Sequence, residues 1–479
     1  MSSPRNEEWT KKMEIRINFT NMMVQVIGPE HGISEEEITH LEPRVREIHT
    51  HLQAQRTNGT LPFLNLPYQD ELVKELTILR EEQKGLWDNL VVLGIGGSAL
   101  GGIALQRGLN HPFYNLTSRE ERKGYPRLFF SDNIDPDGFH ALLTILDLKK
   151  TLFNVISKSG ETAETMSQFL IVRDLLKKHL GQEEYLRHLI ITTDRQKGRL
   201  REIVHKEPFL SFIIPDGVGG RFSVFTPVGL LPAAMTGVDI EALLAGAAFM
   251  DKKCQREEVW RNPASMLALL LYLSDLRKGK SICVFMPYVD ALKDVADWFR
   301  QLWAESLGKR FSLTGEIVET GQTPINALGV TDQHSQLQLY TEGPRNKVII
   351  FAGVSTYHHE VPIPRDYRGL EGVGYLGGHT LNELIQAERK GTEQALTNNK
   401  RPNLTISVPA VNAFTLGQLF FLLEAATAYA GALYGINPFD QPGVEEGKNF
   451  TYGLMGRQGF EDKKKEIEAK RTINSTYSV

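Results

Sequence analysis

The sequence has few cysteines: Cys254 and Cys283 are the only two in 479 residues. Two cysteines so far apart cannot form a disulfide framework or a four-ligand zinc site, so the count favours a reducing compartment and two small core residues. A basic excess is also missing, because 54 Lys and Arg stand against 58 Asp and Glu, a net charge of −4. This balance is not that of a nucleic-acid binder. A phosphate ligand would have to be held by a local site.

Long uninterrupted hydrophobic runs are scarce as well. The most apolar stretch, residues 419–436, is short and contains Glu424, Thr427 and two glycines, which favours a buried helix over a membrane span. Residues 1–19 carry acidic side chains and no long apolar segment, unlike a signal peptide or a transit sequence. We therefore expect a cytoplasmic protein with no membrane and no nucleic acid among its partners.

The chain is longer than a single hydrophobic core usually grows, which favours two α/β units. After a helical region of about 80 residues, apolar runs of strand length alternate with helical patterns near 290–307, 379–396 and 412–434. This alternation predicts an α/β fold of two units, each a mainly parallel sheet flanked by helices. The predicted strands form two series: 89–95, 127–131, 152–157 and 189–193, then 281–286, 347–352 and 404–408.

The Gly- and Pro-rich run 216–237 lies between the two series, and there we expect the chain to change domains. The predicted domains are an N-terminal helical segment (1–66) packing on the large domain, a small phosphate-binding domain (67–235), a large domain with the catalytic base (236–450) and a C-terminal helical tail (451–479). The strongly charged stretch 461–471 is typical of a solvated helix.

A glycine-rich turn follows the first predicted strand. Gly94, Gly96 and Ala99 match the pattern G-x-G-x-x-G/A, in which backbone N–H groups face an anion at a helix N-terminus. A dinucleotide site also needs an acidic residue about 20 positions further on, and Asp132 lies well beyond that distance. Nicotinamide binding and tight packing without a ligand both remain alternatives to a phosphosugar contact.

A second polar segment, Ser157, Lys158, Ser159 and Thr162, ends a predicted strand and opens a helix. Hydroxyl groups, backbone N–H groups and a lysine together suit a phosphate monoester. The alternative is an ordinary helix cap in which Ser159 and Thr162 satisfy the first free N–H groups, and this segment alone does not decide between them. Because the chain lacks G-x-x-x-x-G-K-[ST], a small phosphorylated metabolite fits better than ATP.

Three longer segments resemble the glucose-6-phosphate isomerase family of the bacterial type. They are 216–229 (DGVGGRFSVFTPVG), 301–309 (QLWAESLGK) and 431–448 (GALYGINPFDQPGVEEGK), and they occur in the family's order. The resemblance spans roughly residues 65 to 450. It implies a homodimer of chains with two sugar-isomerase-type (SIS) domains that interconverts glucose 6-phosphate and fructose 6-phosphate through an enediolate, with no metal or other cofactor.

The resemblance also implies a role for each matching residue. Glu305 becomes the base and Arg221 the group beside the enediolate, while Lys448 and His334 open the sugar ring, with His334 reaching in from the partner subunit. The remaining matches are contacts to substrate: Ser157, Ser159 and Thr162 to phosphate with Lys158 beside them, Gly97 and Ser98 close to the sugar, and Gln441.

The residue types fit that chemistry. Moving a proton between C1 and C2 of an open-chain sugar needs one base, and a carboxylate serves when burial raises its pKa. At about 100° per residue, Glu305 falls near Ala291, Trp298 and Leu302 on the apolar stripe of its helix. The alternative is a surface ion pair with Lys309 at i, i+4.

Arg221 can stabilise a growing oxyanion, or it can be a structural arginine that bridges the domains. The ordinary pKa of His334 suits proton transfer during ring opening, although a lone histidine is more often a surface or core residue. His358, His359 and Glu360 do not suggest a metal site, because adjacent histidines in a strand point to opposite faces.

Two rival functions use the same domains. A non-catalytic sugar-phosphate sensor would keep the hydroxyl segment but could lose the base and the ring-opening groups, which are all present here. A nucleotide-linked dehydrogenase would bind NAD at the glycine turn.

Overall fold

Two five-stranded sheets organise the chain, and the computed structural model describes residues 4–470 and 475–477. The strands are β1 Arg16–Asn18, β2 Asn89–Leu93, β3 Arg127–Ser131, β4 Thr151–Ile156, β5 Leu189–Asp194, β6 Leu210–Ile214, β7 Ile282–Pro287, β8 Lys309–Phe311, β9 Ile317–Thr320, β10 Thr323–Asn326, β11 Lys347–Val354 and β12 Asn403–Val408.

The helices that surround the sheets are α1 Pro4–Lys12, α2 Val24–Ile27, α3 Glu35–Thr57, α4 Asp70–Gln83, α5 Leu100–Leu109, α6 Pro136–Thr144, α7 Ala163–Leu180, α8 Arg199–Lys206, α9 Pro227–Met235, α10 Ile240–Cys254, α11 Pro263–Leu276, α12 Lys293–Leu307, α13 Leu337–Glu342, α14 Leu381–Asn398, α15 Ala413–Tyr434, α16 Glu445–Leu454 and α17 Glu461–Lys470.

The first sheet has the order β3-β2-β4-β5-β6, and all its neighbouring strands are parallel. Every residue of β2, β4 and β5 is buried, because helices cover both faces of the sheet. This is the reason that the three central strands are mostly apolar, and their predicted ends agree with the structure within one or two residues. The edge strand β6 was missed, and three of its five residues are only partly buried or exposed although its sequence, LSFII, is mostly apolar.

The second sheet has the order β1-β12-β11-β7-β10. The strands β12, β11, β7 and β10 are parallel, whereas β1 joins the edge in the antiparallel direction. Three strands of this sheet were predicted. The edge strand β10 was missed because it is short and contains Pro324, and β1 interrupts a region that was predicted as helical.

Helix α15 forms the centre of the core beside the second sheet and packs against α10, α11 and α12. It is long and apolar enough to cross a membrane, but 94% of its most apolar window is buried inside the protein. The prediction of a buried helix is confirmed. Cys254 and Cys283 are buried free thiols, as predicted for small core residues.

The segments at the two ends of the chain also pack on this framework. Strand β1 pairs with β12, and Arg56 at the end of α3 forms an ion pair with Asp251 of α10 at 2.8 Å.

The Gly- and Pro-rich run 216–237 is not an open linker, because it contains the buried helix α9. Helix α17 covers most of the predicted charged helix, and Arg471 lies outside the described residues.

Candidate active site

The glycine turn after β2 is in backbone contact with the turn that carries Arg221. A Cβ atom on Gly97 would lie 2.3 Å from the carbonyl carbon of Gly220 and 2.7 Å from the backbone nitrogen of Arg221. The hydroxyl of Ser223 donates to the carbonyl of Gly220 at 2.6 Å and also lies 3.3 Å from the carbonyl of Gly97. Only glycine therefore fits at position 97, and its neighbour Ser98 ends the same turn half-buried.

Arg221 connects the first sheet with elements of the second. The side chain is 3% exposed, and its Nε donates to Oγ of Ser306 on α12 at 2.7 Å. Its Nη2 donates to the carbonyls of Pro438 and Asp440, at 2.6 and 3.0 Å, and its Nη1 donates to Oε1 of Gln441 at 3.0 Å. The guanidinium is thus held in one orientation by four contacts, which agrees with the alternative of an arginine that bridges the domains.

Glu305 lies in the last turn of α12, beside that guanidinium. One carboxylate oxygen is 3.4 Å from Nη1 of Arg221 and accepts a hydrogen bond from Nε2 of Gln301 at 3.2 Å. The side chain is 27% exposed, which agrees with the predicted partial desolvation. The alternative surface pair with Lys309 is wrong, because the Lys309 ammonium donates to the backbone carbonyl of Glu305 at 2.7 Å.

The charges around this pair act on one another at short range. Burial lowers the pKa of Arg221, and the neighbouring carboxylates of Glu305 and Asp440 oppose that effect. Burial, reinforced by repulsion from Arg221, lowers the pKa of Lys309 to about 8. The result is two buried cations, Arg221 and Lys309, beside two partly exposed carboxylates, with Asp440 lying 3.8 Å from the Lys309 ammonium.

The hydroxyl segment folds into a tight loop between β4 and α7. Ser157 is 1% exposed, and its Oγ accepts from the N–H of Gly160 at 3.0 Å and lies 3.2 Å from Oγ1 of Thr162. Lys158 donates to the carbonyl of Val218 at 2.8 Å, which ties this loop to the segment that leads into Arg221.

The simple helix-cap interpretation of this loop is wrong. Thr162 is the N-cap residue of α7, yet among the described residues no N–H of the first turn donates to its side chain. The hydroxyl of Ser159 accepts from the N–H of Glu161 at 3.2 Å, outside the helix. The free N–H groups of the first turn and the hydroxyls remain together at the end of β4, an arrangement that suits an anion.

Helix α16 packs against this loop and carries Lys448. The hydroxyl of Tyr452 donates to the carbonyl of Glu161 at 3.4 Å, and Arg457 donates to the Glu161 carboxylate at 2.9 Å. Lys448 itself is 48% exposed and pairs with Glu445 at 2.8 Å. Within the described residues, the structure therefore places Lys448 on a neighbouring helix without bringing it against the Arg221–Glu305 pair.

His334 lies apart from the other predicted site residues of its own chain. It ends the 3-10 turn Thr331–His334 that follows β10, and its side chain is exposed. It forms no hydrogen bond or ion pair with any described residue of this chain. A single chain thus assembles Gly97, Arg221, Glu305 and Gln441, but not His334.

Sequence reasoning missed several polar groups of the site. Gln301 was detectable, because a glutamine four positions before Glu305 lies on the same helix face. Ser306 and Lys309 lie inside the same motif, where Lys309 suggested only a surface ion pair with Glu305 and no role was predicted for Ser306. The carbonyls of Pro438 and Asp440 leave no signal in the sequence, since every residue has a carbonyl group.

The cavity near His358 has a different character. It has a volume of about 750 Å³ and is lined by His358, His359, Glu360 and Lys390 among others. The Nε2 of His358 donates to the carbonyl of Val411 at 2.8 Å, so this nitrogen is not available to a metal. No group of three or more His, Cys, Asp or Glu side chains suited to a metal occurs in the described part of the chain.

Comparison with known structures defines the class of this fold. A hypothetical protein from Thermus thermophilus superposes with a TM-score of 0.80 at 35% identity, covering 92% of this chain and 100% of that chain. A glucose-6-phosphate isomerase from Chlamydia trachomatis gives a TM-score of 0.71 at 25% identity, covering 83% of this chain and 76% of that chain. The class is that of two-sheet α/β proteins of the sugar-isomerase type.

Sequence relatives narrow the class to one family. The family model described as phosphoglucose isomerase matches residues 81–469. A glucose-6-phosphate isomerase of Carboxydothermus hydrogenoformans is 48% identical, with 95% of this chain and 97% of that protein covered. One from Rubrobacter xylanophilus is 45% identical, with 93% and 99% covered. The chain belongs to the phosphoglucose isomerase family.

Proposed function

We propose that this protein is an aldose–ketose isomerase that interconverts glucose 6-phosphate and fructose 6-phosphate, in keeping with relatives that are named glucose-6-phosphate isomerase. The observation that carries the proposal is the Glu305 carboxylate 3.4 Å from a buried, fully oriented Arg221. A base beside a fixed cation is what enediolate chemistry needs, because one group moves the proton and the other stabilises the oxyanion. Such an enzyme serves glycolysis and gluconeogenesis.

In this mechanism Glu305 removes the proton from C2 of the open-chain aldose and returns it to C1. The electron pair of the broken C–H bond forms the C1=C2 double bond, the π pair of the C1 carbonyl moves to its oxygen, and the enediolate forms beside Arg221. When C1 takes up the proton, the hydroxyl proton on O2 passes to O1 and C2 becomes the carbonyl carbon. Four contacts hold the guanidinium before substrate arrives, so little reorganisation accompanies the charge movement. Gln301 fixes one carboxylate oxygen of Glu305, which leaves the other oxygen for the proton.

The substrate phosphate is assigned to Ser157, Ser159 and Thr162 with Lys158 at the edge. Support comes from the uncapped start of α7 and from the contact between Lys158 and Val218, which joins this loop to the Arg221 segment. The sugar then lies over Gly97 and Ser98, where the missing side chain of Gly97 keeps the turn close to Arg221. Gln441 reaches the same place through its bond to Arg221.

Ring opening is assigned to Lys448 and His334, and we propose that a homodimer brings His334 into the partner's site. The support is that His334 is exposed, unpartnered among the described residues of its own chain and separate from Glu305. We also retain the predicted domain boundaries: residues 67–235 contain all strands of the first sheet, and residues 236–450 contain all strands of the second sheet except β1. The cytoplasmic location is retained as well, which the two buried free thiols favour.

The test of the function is a coupled assay. Purified protein is mixed with fructose 6-phosphate, and glucose 6-phosphate is followed through an NADP-linked dehydrogenase. Turnover without added metal or nucleotide for the isomerase step is expected, whereas no turnover above background contradicts the proposal.

The variant Glu305→Gln tests the base. Removing the proton acceptor should lower kcat by about 10²- to 10⁴-fold while KM changes only a few-fold, because the amide keeps the shape and the contact with Gln301. The matched control is Glu184→Gln, since Glu184 forms an ordinary surface pair with Arg187 at 3.8 Å. Near-normal turnover in Glu305→Gln would mean that another group is the base.

A further inference from the structure

The turn that carries His334 is attached to the second sheet by a chain of side-chain hydrogen bonds. Tyr288 follows β7 directly and is 1% exposed, and its hydroxyl donates to Oε1 of Gln333 at 2.6 Å. The Nε2 of Gln333 donates in turn to a carboxylate oxygen of Glu388 on α14 at 2.8 Å. Gln333 is the residue immediately before His334.

The chain of hydrogen bonds has one direction. Burial raises the pKa of Tyr288 to about 12, so its hydroxyl keeps its proton through the neutral range and can donate it. A carboxylate at the other end accepts hydrogen bonds, and a glutamine amide offers an acceptor on one side and a donor on the other. The amide of Gln333 therefore has a single satisfied orientation, which glutamate or leucine at this position would not reproduce.

Two further contacts hold the same turn. A Cβ atom on Gly329 would lie 2.5 Å from the ring of Tyr288, so the ring packs directly on the backbone that enters the turn. The carboxylate of Asp332 accepts from the N–H of Leu328 at 2.7 Å. The backbone that leads into Gln333 is thus fixed, although the neighbouring His334 side chain is exposed.

We propose that Tyr288, Gln333 and Glu388 are positioning residues for ring opening. They fix the Thr331–His334 turn so that the imidazole of His334 is presented outward from a rigid support to the ring oxygen of the sugar. The inference rests on the proposed ring-opening role of His334, and none of the three residues touches the substrate. Misplacing a catalytic group by about 1 Å can lower a rate by about 10²-fold, which gives such a support its value.

Ring opening can be measured without proton transfer at carbon. The α and β anomers of glucose 6-phosphate exchange through the open chain, and no C–H bond breaks in that exchange. In a Glu305→Gln background, enzyme-catalysed anomer exchange followed by NMR therefore reports on ring opening alone. The Tm of every variant is recorded beside it.

In that background Tyr288→Phe keeps the ring against Gly329 and removes one hydrogen bond, and exchange should fall by about 10-fold. Gln333→Leu breaks both bonds and should lower exchange by about 10- to 100-fold. Glu388→Gln keeps a hydrogen-bond acceptor for the Gln333 amide, so anomer exchange should stay within about 2-fold of that in the background. The matched control is Gln338→Leu, which removes a glutamine–glutamate bond of 2.8 Å on the exposed face of α13.

Several results would overturn the inference. One is unchanged exchange in Gln333→Leu, and another is loss of exchange in Gln333→Leu while His334→Ala retains it. If Gln333→Leu does not fold, Tyr288→Phe is the deciding variant. An equal loss of anomer exchange in Tyr288→Phe and in the control Gln338→Leu would then contradict the proposal. A wild-type protein that neither exchanges anomers nor converts fructose 6-phosphate instead contradicts the proposed function, which keeps the two failures distinct.

Discussion

At the scale of single residues, the site contains a close contact between two stretches of backbone, at Gly97 and at Gly220–Arg221. Gly97 touches the backbone of Gly220 and Arg221, so the position of the guanidinium depends on a missing Cβ. The family resemblance implies that Gly97 lies near the sugar. The contact with Gly220 was not predictable, because the two turns are far apart in the chain.

Gly97→Ala should therefore be costly. The new methyl group meets backbone atoms that cannot rotate away, so we expect a loss of about 1–3 kcal/mol in unfolding free energy, with reduced kcat because Arg221 shifts. The matched control is Gly391→Ala within α14, where a Cβ meets no atom within 4 Å and helix propensity should add about 0.5–1 kcal/mol. Equal stability changes in both variants would contradict the close-contact argument.

Lys309 predicts a pH dependence with a definite sign. Its folded-state pKa of about 8 lies below the ordinary 10.5, so the folded protein releases this proton before the unfolded chain does. Below pH 8 both states are protonated and the full cost of burying the charge is present. Between these two pKa values the contribution of Lys309 to stability rises with pH, by about 1.4 kcal/mol for each pH unit that separates them.

The comparison is with Lys309→Met, which cannot titrate at this position. The Tm of the wild type minus the Tm of the variant should increase as the pH rises from about 7 to about 10. A Tm difference that stays constant over this range would contradict the assignment.

At the scale of elements, the apolar helix α15 carries an ionisable side chain into the hydrophobic core. Glu424 lies in the middle of this apolar helix, and neither of its carboxyl oxygens has a hydrogen-bond partner among the described residues. Burial raises the pKa of Glu424 well above its ordinary value. As the pH rises above 4.5, the unfolded chain loses this proton first, so the stability contributed at this position falls.

Glu424→Met should consequently stabilise the protein. Removing an unsatisfied polar group should add about 1–3 kcal/mol to the unfolding free energy, and the gain should be larger at about pH 7.5 than at about pH 5. Glu424→Gln serves as the control, because it abolishes the titration but keeps buried polar atoms. Thermal unfolding of the three proteins at both pH values checks the prediction, and a gain independent of pH would contradict it.

The elements themselves were predictable where burial is complete. Strands β2, β7 and β11 have continuous apolar runs, and the runs of β4, β5 and β12 are interrupted by few polar residues, because both faces of the sheets are covered. Of the four edge strands of the two five-stranded sheets, β3 was predicted, whereas β1, β6 and β10 escaped prediction; β1 and β10 have only three and four residues. Helix α12 begins at Lys293, so Ala291 belongs to the preceding 3-10 turn and not to the predicted helical stripe.

At the scale of the whole molecule, Arg221 joins the two sheets. It belongs to the turn after β6, and its partners lie on α12 and on the segment after α15. The relative placement of the two sheets is therefore coupled to the placement of the guanidinium beside Glu305. In the proposed homodimer, the position of the exposed His334 in the site depends in the same way on how two chains pack together.

The homodimer proposal predicts complementation between inactive variants. In a mixture of refolded Glu305→Gln and His334→Ala chains, a hybrid dimer has one site with both Glu305 and the partner subunit's His334. Random mixing should restore about a quarter of wild-type activity, because half of the dimers are hybrids and each has one intact site of two. Activity that never exceeds that of the separate variants would show that both groups act within one chain.

The sequence by itself determined the family motifs, the fully buried strands and the assignment of Glu305 to an apolar helix face, because each depends on residues that are neighbours in the chain or recur with a fixed period. Only the tertiary structure decided that Arg221 is held by carbonyls 217 and 219 positions further along the chain. It also decided that Lys309 binds the backbone carbonyl of Glu305, which leaves the Glu305 carboxylate to Arg221, and that His334 lies apart from Arg221 and Glu305. Backbone carbonyls are common to all residues, and contacts between distant turns exist only after the two sheets have packed, so no local pattern encodes them.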